Sequence, residues 1–374
     1  MNHILLSTAL AFLITYFSIP VIIEVAKDKK LFDEPGERKV HKDVIPTLGG
    51  LGIFAGFILA TLMGVPASLS NQLQYFMAAV LVIFFLGLKD DILVLSATKK
   101  FIGQLVAAGI IIKFGGVQLN NMYGFLHINE IPHTLSIILT LFTIIVITNS
   151  FNLIDGVDGL AGSLGLLTSL VFGIYFSISG ELMFAVMSLT LAGSLSAFLF
   201  YNFSPAKIFM GDTGSLLLGL LNSIFVIKFI AMAGNPAEKF PIASAPAIGF
   251  AILIVPLFDT LRVFSLRIFN RRSPFSPDRN HIHHFLLDLG LSHKMISIVC
   301  ISANLVFIAL AYSLRSFGTT MVIASLATAA IVFVGIIYYS RPKTRIHSEK
   351  RSDENAIHKS HKILTLAGET MDQE

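Results

Sequence analysis

Residues 134–162 read TLSIILTLFTIIVITNSFNLIDGVDGLAG. The first part, 134–151, carries no charge and is long enough to cross a hydrocarbon layer as a helix, which takes roughly 20 apolar residues. It does not alternate as a barrel strand would. A turn rich in Asn, Asp and Gly follows, and a second apolar run begins at residue 160. The stretch therefore predicts two apolar helices joined by a short polar turn.

Working outward, the same pattern predicts eleven spans, at about 3–26, 48–66, 73–88, 101–114, 134–151, 160–178, 182–200, 214–232, 245–266, 295–314 and 319–340. Composition agrees: of 374 residues 54% are hydrophobic and 13% charged, against about 25% charged in soluble domains. Disorder is excluded by the hydrophobicity, and a disulfide scaffold by the single cysteine, Cys300. The expected fold class is all-α, a polytopic integral membrane protein with one transmembrane catalytic domain over 1–340. A polar, flexible cytoplasmic tail is expected over 341–374.

The basic residues are placed one-sidedly. Of 27 Lys and Arg, 22 fall in loops after odd-numbered spans or in the tail, and Lys239 and Arg315 alone fall in the others. The positive-inside rule then puts the N-terminus outside and the C-terminus in the cytoplasm. The net charge of +4 thus reflects membrane orientation rather than a nucleic-acid surface. The first run is not preceded by Lys or Arg and reads as an uncleaved span.

Five aspartates sit at the predicted cytoplasmic boundaries, where ionisable groups are functional candidates. Asp90 and Asp91, in GLKDDIL, are adjacent like charges in a loop after the third span. A divalent cation, or Lys99 or Lys100, would neutralise them. In NSFNLIDGVDGLAG, Asn149 and Asn152 share a helix face, Gly156 and Gly159 permit a turn, and Asp155 and Asp158 lie in it. Such oxygen ligands suit a hard cation or sugar hydroxyls, or form paired Asx-turns. Asp212, in FMGDTGS, stands just before an apolar run as an N-cap or beside a phosphate at a helix start. The loop RIFNRRSPFSPDRNHIHHFLLDLGLSH places Arg279 near His281, His283 and His284. It suits pyrophosphate oxygens, with zinc as the alternative. Asp259 and Arg262, three apart, predict an intrahelical ion pair. Together these features suggest metal-assisted phosphoryl transfer between a soluble nucleotide-bearing donor and a membrane lipid.

The same motifs, in order from about residue 30 to 295, resemble the polyprenyl-phosphate N-acetylhexosamine-1-phosphate transferase superfamily, glycosyltransferase family 4. HKDVIPTLGG, LGLKDDILVLSATKKFIGQL, NSFNLIDGVDGLAG, YNFSPAKIFMGDTGS and SPDRNHIHHFLLDLGLS carry the resemblance. The run His281-Ile282-His283-His284 departs from the three consecutive histidines of the phospho-MurNAc-pentapeptide branch. It is more similar to the branch that uses UDP-GlcNAc.

The resemblance implies an enzyme of the bacterial inner membrane with a cytoplasmic active site. Undecaprenyl phosphate would attack the β-phosphorus of a UDP-N-acetylhexosamine, directly or through an aspartyl-phosphate, releasing UMP as the first membrane step of cell-wall or surface-glycan synthesis. It implies Asp90, Asp91 and Asp212 as catalytic residues. Asp212 and Asp91 would hold Mg²⁺, with Mn²⁺ as a substitute. Lys42, Lys100, Asn149, Asn152, Asp155, Asp158, Asn202, Arg279, His281, His283 and His284 would bind substrate. A homodimer is compatible with this reading. The rival from another class, a transporter of an anionic solute, would need polar residues at mid-membrane and repeat symmetry, and neither is visible.

Overall fold

A computed structural model describes residues 2–29, 45–271 and 280–342. Each of the eleven apolar runs is helical. In chain order the helices are α1 (Asn2–Asp28), α2 (Gly49–Gly64), α3 (Ser70–Ile92), α4 (Ala97–Lys113), α5 (His133–Ile154), α6 (Leu160–Ser179), α7 (Leu182–Asn202) and α8 (Gly211–Ala233). The ninth run is split into α9 (Ala245–Ile252) and α10 (Ile254–Phe269). A short helix α11 (Ile282–Asp288) precedes α12 (His293–Ser313) and α13 (Thr319–Ser340).

Among the described residues, seven helices are long and apolar enough to cross a membrane, or up to eight if the bent pair is one span. The protein is therefore a nearly all-α, multi-pass membrane protein. Two of the runs fall short because helices α2 and α4 hold only 16 and 17 residues.

Helix α8 is the axis of the bundle. It is apolar on all sides and buried nearly throughout, as expected of a helix without a solvent face. Helices α2, α3, α5, α6 and α9 pack around it, and α1 and α7 pack on α2. The fold thus gathers the C-terminal ends of α3, α5 and α7 with the N-terminal ends of α4, α6 and α8 at one end of the bundle. At the other end, a hairpin of β1 (Asn121–Phe125) and β2 (Ile128–Glu130) meets the start of α13: Thr319 donates to the Tyr123 carbonyl at 2.6 Å. The sequence reading did not anticipate this hairpin.

The 85° bend between α9 and α10 follows from Pro256. Proline has no N–H to give the carbonyl four residues back, which is that of Ile252. Asn304 of α12, fully buried, replaces the missing donor: its Nδ2 bonds the Ile252 carbonyl at 3.0 Å, and its Oδ1 accepts from the Val255 N–H at 3.4 Å. Broken helices at membrane depth require such substitutes.

Arg341 is buried, bonds Asp288 at 3.2 Å and stacks over Phe285. Residues 343–374, the remainder of the predicted tail, lie outside the described residues.

Replacing Asn304 by Leu keeps the volume but leaves the Ile252 carbonyl unpaired in an apolar site, at a cost of about 1–3 kcal/mol. Thermal unfolding in detergent should show a lower midpoint for this variant; an unchanged midpoint would remove Asn304 from the bend.

Candidate active site

The site is built on the first turn of α8. Backbone bonds strap residues 46–50 to the chain just before it. Phe209 donates to Pro46 at 2.8 Å, Gly49 to Phe209 at 2.9 Å and Gly50 to Met210 at 2.9 Å. Gly211 turns into the helix with φ +71°, and a Cβ there would lie 2.1 Å from the Thr47 carbonyl.

Asp212 was expected just before the helix, as its N-cap. It lies inside the first turn, and Met210 at the cap position makes no side-chain cap bond. The cap comes from another helix. Asp90 and Asp91, expected in a loop, lie on the last turn of α3, which runs on to Ile92. One oxygen of Asp91 accepts from the Asp212 N–H at 2.7 Å; the other accepts from the Thr213 N–H at 2.9 Å and from the Thr213 hydroxyl. Two of the free N–H groups that would have suited a phosphate at this helix start, those of Asp212 and Thr213, are therefore engaged by Asp91.

The Asp212 carboxylate faces the other way, into a polar cluster. Lys100 of α4 donates to it at 2.6 Å, and Asn152 of α5 at 2.9 Å. Lys100 also pairs with Asp90, so Lys100, rather than Lys99, lies between two carboxylates. Asp90 accepts in addition from the Leu95 N–H at 2.6 Å, which folds the α3–α4 turn. Four segments distant in sequence thus bring Asp90, Lys100, Asn152 and Asp212 together.

Asp155 follows α5 beside this cluster. Protein surrounds its carboxyl, although part of the residue reaches solvent. That desolvation, with the charges of Asp212, Asp91 and Asp158 adding to it, pushes its pKa up to about 8.

Other predicted site residues have structural partners. Asn149 exchanges hydrogen bonds with Gln104 of α4 and donates to the Ile145 carbonyl. Although it shares a face with Asn152, its amide hydrogens go to a neighbouring helix and to its own backbone. Asn202 is buried; it accepts from Gly159 and donates to Ile208, both at 2.9 Å. Asp158 is buried too, accepts from Ala206 at 3.3 Å, and meets His293 at 3.2 Å. These two residues clamp the 155–159 turn to the segment before α8. Gly159 turns with φ +77° as expected, whereas Gly156 serves close packing. A Cβ there would lie 2.5 Å from His283 Nε2.

The histidines pack behind that turn. Burial holds the His283 imidazole down at about 3, with neighbouring His284 adding to the effect, so the ring is neutral near pH 7. His281 lies parallel to it, ring centroids 5.7 Å apart, and His284 sits 4.3 Å from His283. The predicted Asp259–Arg262 ion pair is present at 2.9 Å and has a further duty. Asp259 accepts from His281 Nδ1 at 2.8 Å and from the Ile282 N–H at 3.0 Å, fixing the histidine run at the start of α11. Among the described residues no three His, Cys, Asp or Glu side chains are grouped so as to hold a metal ion. Lys42 and Arg279 lie outside the described residues.

The reading from sequence missed Gln104, Thr213 and the His281 bond of Asp259. Only Gln104 left a signal, as a polar residue diluting the fourth apolar run. The other two depend on helices meeting in space.

Two outcomes follow from these contacts. Asp259→Ala strips the carboxylate from Arg262 and His281 at once, and breaking such a buried pair costs about 3–5 kcal/mol; a melting midpoint in detergent equal to the parent's would refute the role. For Asp155, the raised pKa means that the folded state disfavours the ionised form, so its stability falls as pH rises from the ordinary carboxylate range through about 8. Asp155→Asn removes that penalty. With a chelator present, its midpoint should gain on the parent's between pH 5.5 and 8.5, and a pH-independent difference would mean an ordinary carboxylate.

Residues 73–230 match the family model described as glycosyl transferase family 4. A protein of Bacillus subtilis (strain 168) named "Probable undecaprenyl-phosphate N-acetylglucosaminyl 1-phosphate transferase" is 34% identical, over 87% of this chain and 90% of its own. The decaprenyl-phosphate N-acetylglucosaminephosphotransferase of Mycobacterium leprae (strain TN) is 36% identical over 76% and 77%. The undecaprenyl-phosphate alpha-N-acetylglucosaminyl 1-phosphate transferase of Escherichia coli (strain K12) is 29% identical over 79% and 80%. With three quarters or more of its length shared with such relatives, and the polar cluster inside the matched segment, the chain belongs to glycosyl transferase family 4, in its polyprenyl-phosphate N-acetylglucosamine-1-phosphate transferase branch.

Proposed function

We propose that this protein transfers N-acetylglucosamine 1-phosphate from UDP-N-acetylglucosamine to undecaprenyl phosphate and releases UMP, as the first membrane step of cell-wall or surface-glycan synthesis. The observation that carries this reading is the convergence of Asp90, Lys100, Asn152 and Asp212 at the ends of apolar helices, in a chain whose relatives carry that activity in their names. The one-sided placement of Lys and Arg supports eleven spans, with the N-terminus outside and this cluster at the cytoplasmic face of the inner membrane. A cytosolic donor and a bilayer acceptor would then meet there.

The donor set fits Mg²⁺. That ion takes one or two carboxylates and completes its shell with water and substrate phosphates, so no cage of three protein ligands is needed. Asp212, with Asp90 within hydrogen-bonding reach of it, would hold the ion. Once bound, it supplies neutralisation of charge on the donor pyrophosphate.

The chain's own residues do the rest. An oxygen of the acceptor phosphate forms the new bond to the donor's β-phosphorus. The bond from that phosphorus to the bridging oxygen breaks, and the oxygen leaves with UMP. A phosphate monoester with a second pKa of about 6 is mostly dianionic at pH 7, so direct attack needs no strong base. Asp90 positions the acceptor or takes a residual proton, and Lys100 offsets the charge between the carboxylates. Asn152 orients the Asp212 carboxylate, and Asp155 lines the donor side of the turn.

Purified protein given undecaprenyl phosphate, Mg²⁺ and a panel of UDP-sugars should release UMP with UDP-N-acetylglucosamine and not with the MurNAc-pentapeptide donor. Asp212→Asn should lower turnover by about 10²–10³-fold or more while the protein still inserts. Preference for the MurNAc donor would move the chain to the other branch. Near-normal turnover of the Asn variant would take Asp212 out of the reaction.

A further inference from the structure

We infer that Asp91 is a positioning residue, a helix cap delivered by α3 that fixes the first turn of α8 and so aims Asp212, rather than a ligand of the metal or a reacting group. The inference rests on the proposed reaction for what Asp212 does, but its geometry is independent of that reading.

Neighbouring residues of an α-helix point about 100° apart. Asp90 and Asp91 therefore face different neighbours. Asp90 meets the side chains of Lys100 and Asp212. Asp91 meets the backbone beneath Asp212: its two oxygens take the N–H groups of Asp212 and Thr213 and the Thr213 hydroxyl. These N–H groups belong to the helix start, which has no intrahelical partner for them, and Met210 offers no cap. The approach is close because α3 carries Gly87 here; a Cβ on it would stand 2.5 Å from Thr213 Cα. A carboxylate spent on three donors of one helix turn has little capacity left for a cation, whereas Asp212 points its carboxylate into the cluster.

The full chain in detergent tests this with four variants: Asp91→Asn, Asp91→Ala, Thr213→Val and Asp212→Asn. Readouts are hydrogen exchange of residues 211–215, Mn²⁺ affinity, and kcat and KM for UMP release. Asn is a good cap and Ala a poor one. Asp91→Ala should speed exchange at the start of α8 and lower kcat by about 100-fold, the cost of misplacing a reacting group by about 1 Å. Its KM should change far less. Asp91→Asn keeps one acceptor oxygen, enough for the Thr213 side of the cap but not for the Asp212 N–H as well, and should recover part of that loss, since capping needs an acceptor and not a charge. Thr213→Val, which keeps the fold and removes one donor, should shift exchange and kcat in the same direction by a smaller amount. Mn²⁺ affinity should fall by no more than about tenfold in the Asp91 variants, the low end for an outer-sphere residue, and far more in Asp212→Asn. The inference is overturned if Asp91→Asn loses Mn²⁺ as completely as Asp212→Asn, or matches Asp91→Ala in turnover while exchange at 211–215 stays unchanged. Absence of UMP release by the parent protein would strike the proposed reaction instead, and exchange and Mn²⁺ affinity would still judge the cap.

Discussion

The contact between the Asp91 carboxylate and the start of α8 is the constraint on which the rest of the site depends. A helix start leaves N–H groups without partners, and this one begins in partly buried surroundings between other helices, where unpaired donors are costly. Met210 cannot help. The solution is a carboxylate from the end of α3, admitted by Gly87 and Gly211 and reinforced by the backbone strap from residues 46–50. Three motifs that look separate in the chain are one structural device: a seat for the central helix.

Once α8 is seated, the electrostatics follow. Asp212 and Asp90 are brought together with a single lysine between them, and Asp155 stands nearby with its ionisation suppressed. Like charges gathered in a poorly solvated place are expensive unless something offsets them. Lys100 offsets part of the charge. The remaining negative character is what a divalent cation would balance, and such a cation could in turn meet the phosphates of a substrate, which fits the arrangement to phosphoryl transfer.

The 155–159 turn is the second fixed point. Asn202 and Asp158 hold it to the chain ahead of α8, while His283, neutral and buried, packs on Gly156. Asp259 then ties His281 to α10 just beyond the bend that Pro256 and Asn304 create. Polar residues inside an apolar bundle are costly, so nearly all of those near the site have named partners. Several residues whose chemistry suggested substrate contact, Asn149 and Asn202 above all, also hydrogen-bond to the frame around the site.

Sequence alone determined the helical, membrane-embedded class, all eleven apolar segments, the polar turns between them and the aspartates worth attention. Apolar length and charge placement are local properties, and local properties can be read along a chain. Which aspartate does what was decided only by tertiary structure. Asp90 and Asp91 are neighbours with the same chemistry; the turn of α3 points one at the Asp212 side chain and the other at its backbone. Asn149 and Asn152 share a helix face, yet one finds Gln104 and the other Asp212. The helix break was hidden for the same reason. Pro256 marks an orphaned carbonyl, but the group that satisfies it, Asn304, is 52 residues from Ile252, and only packing brings them together.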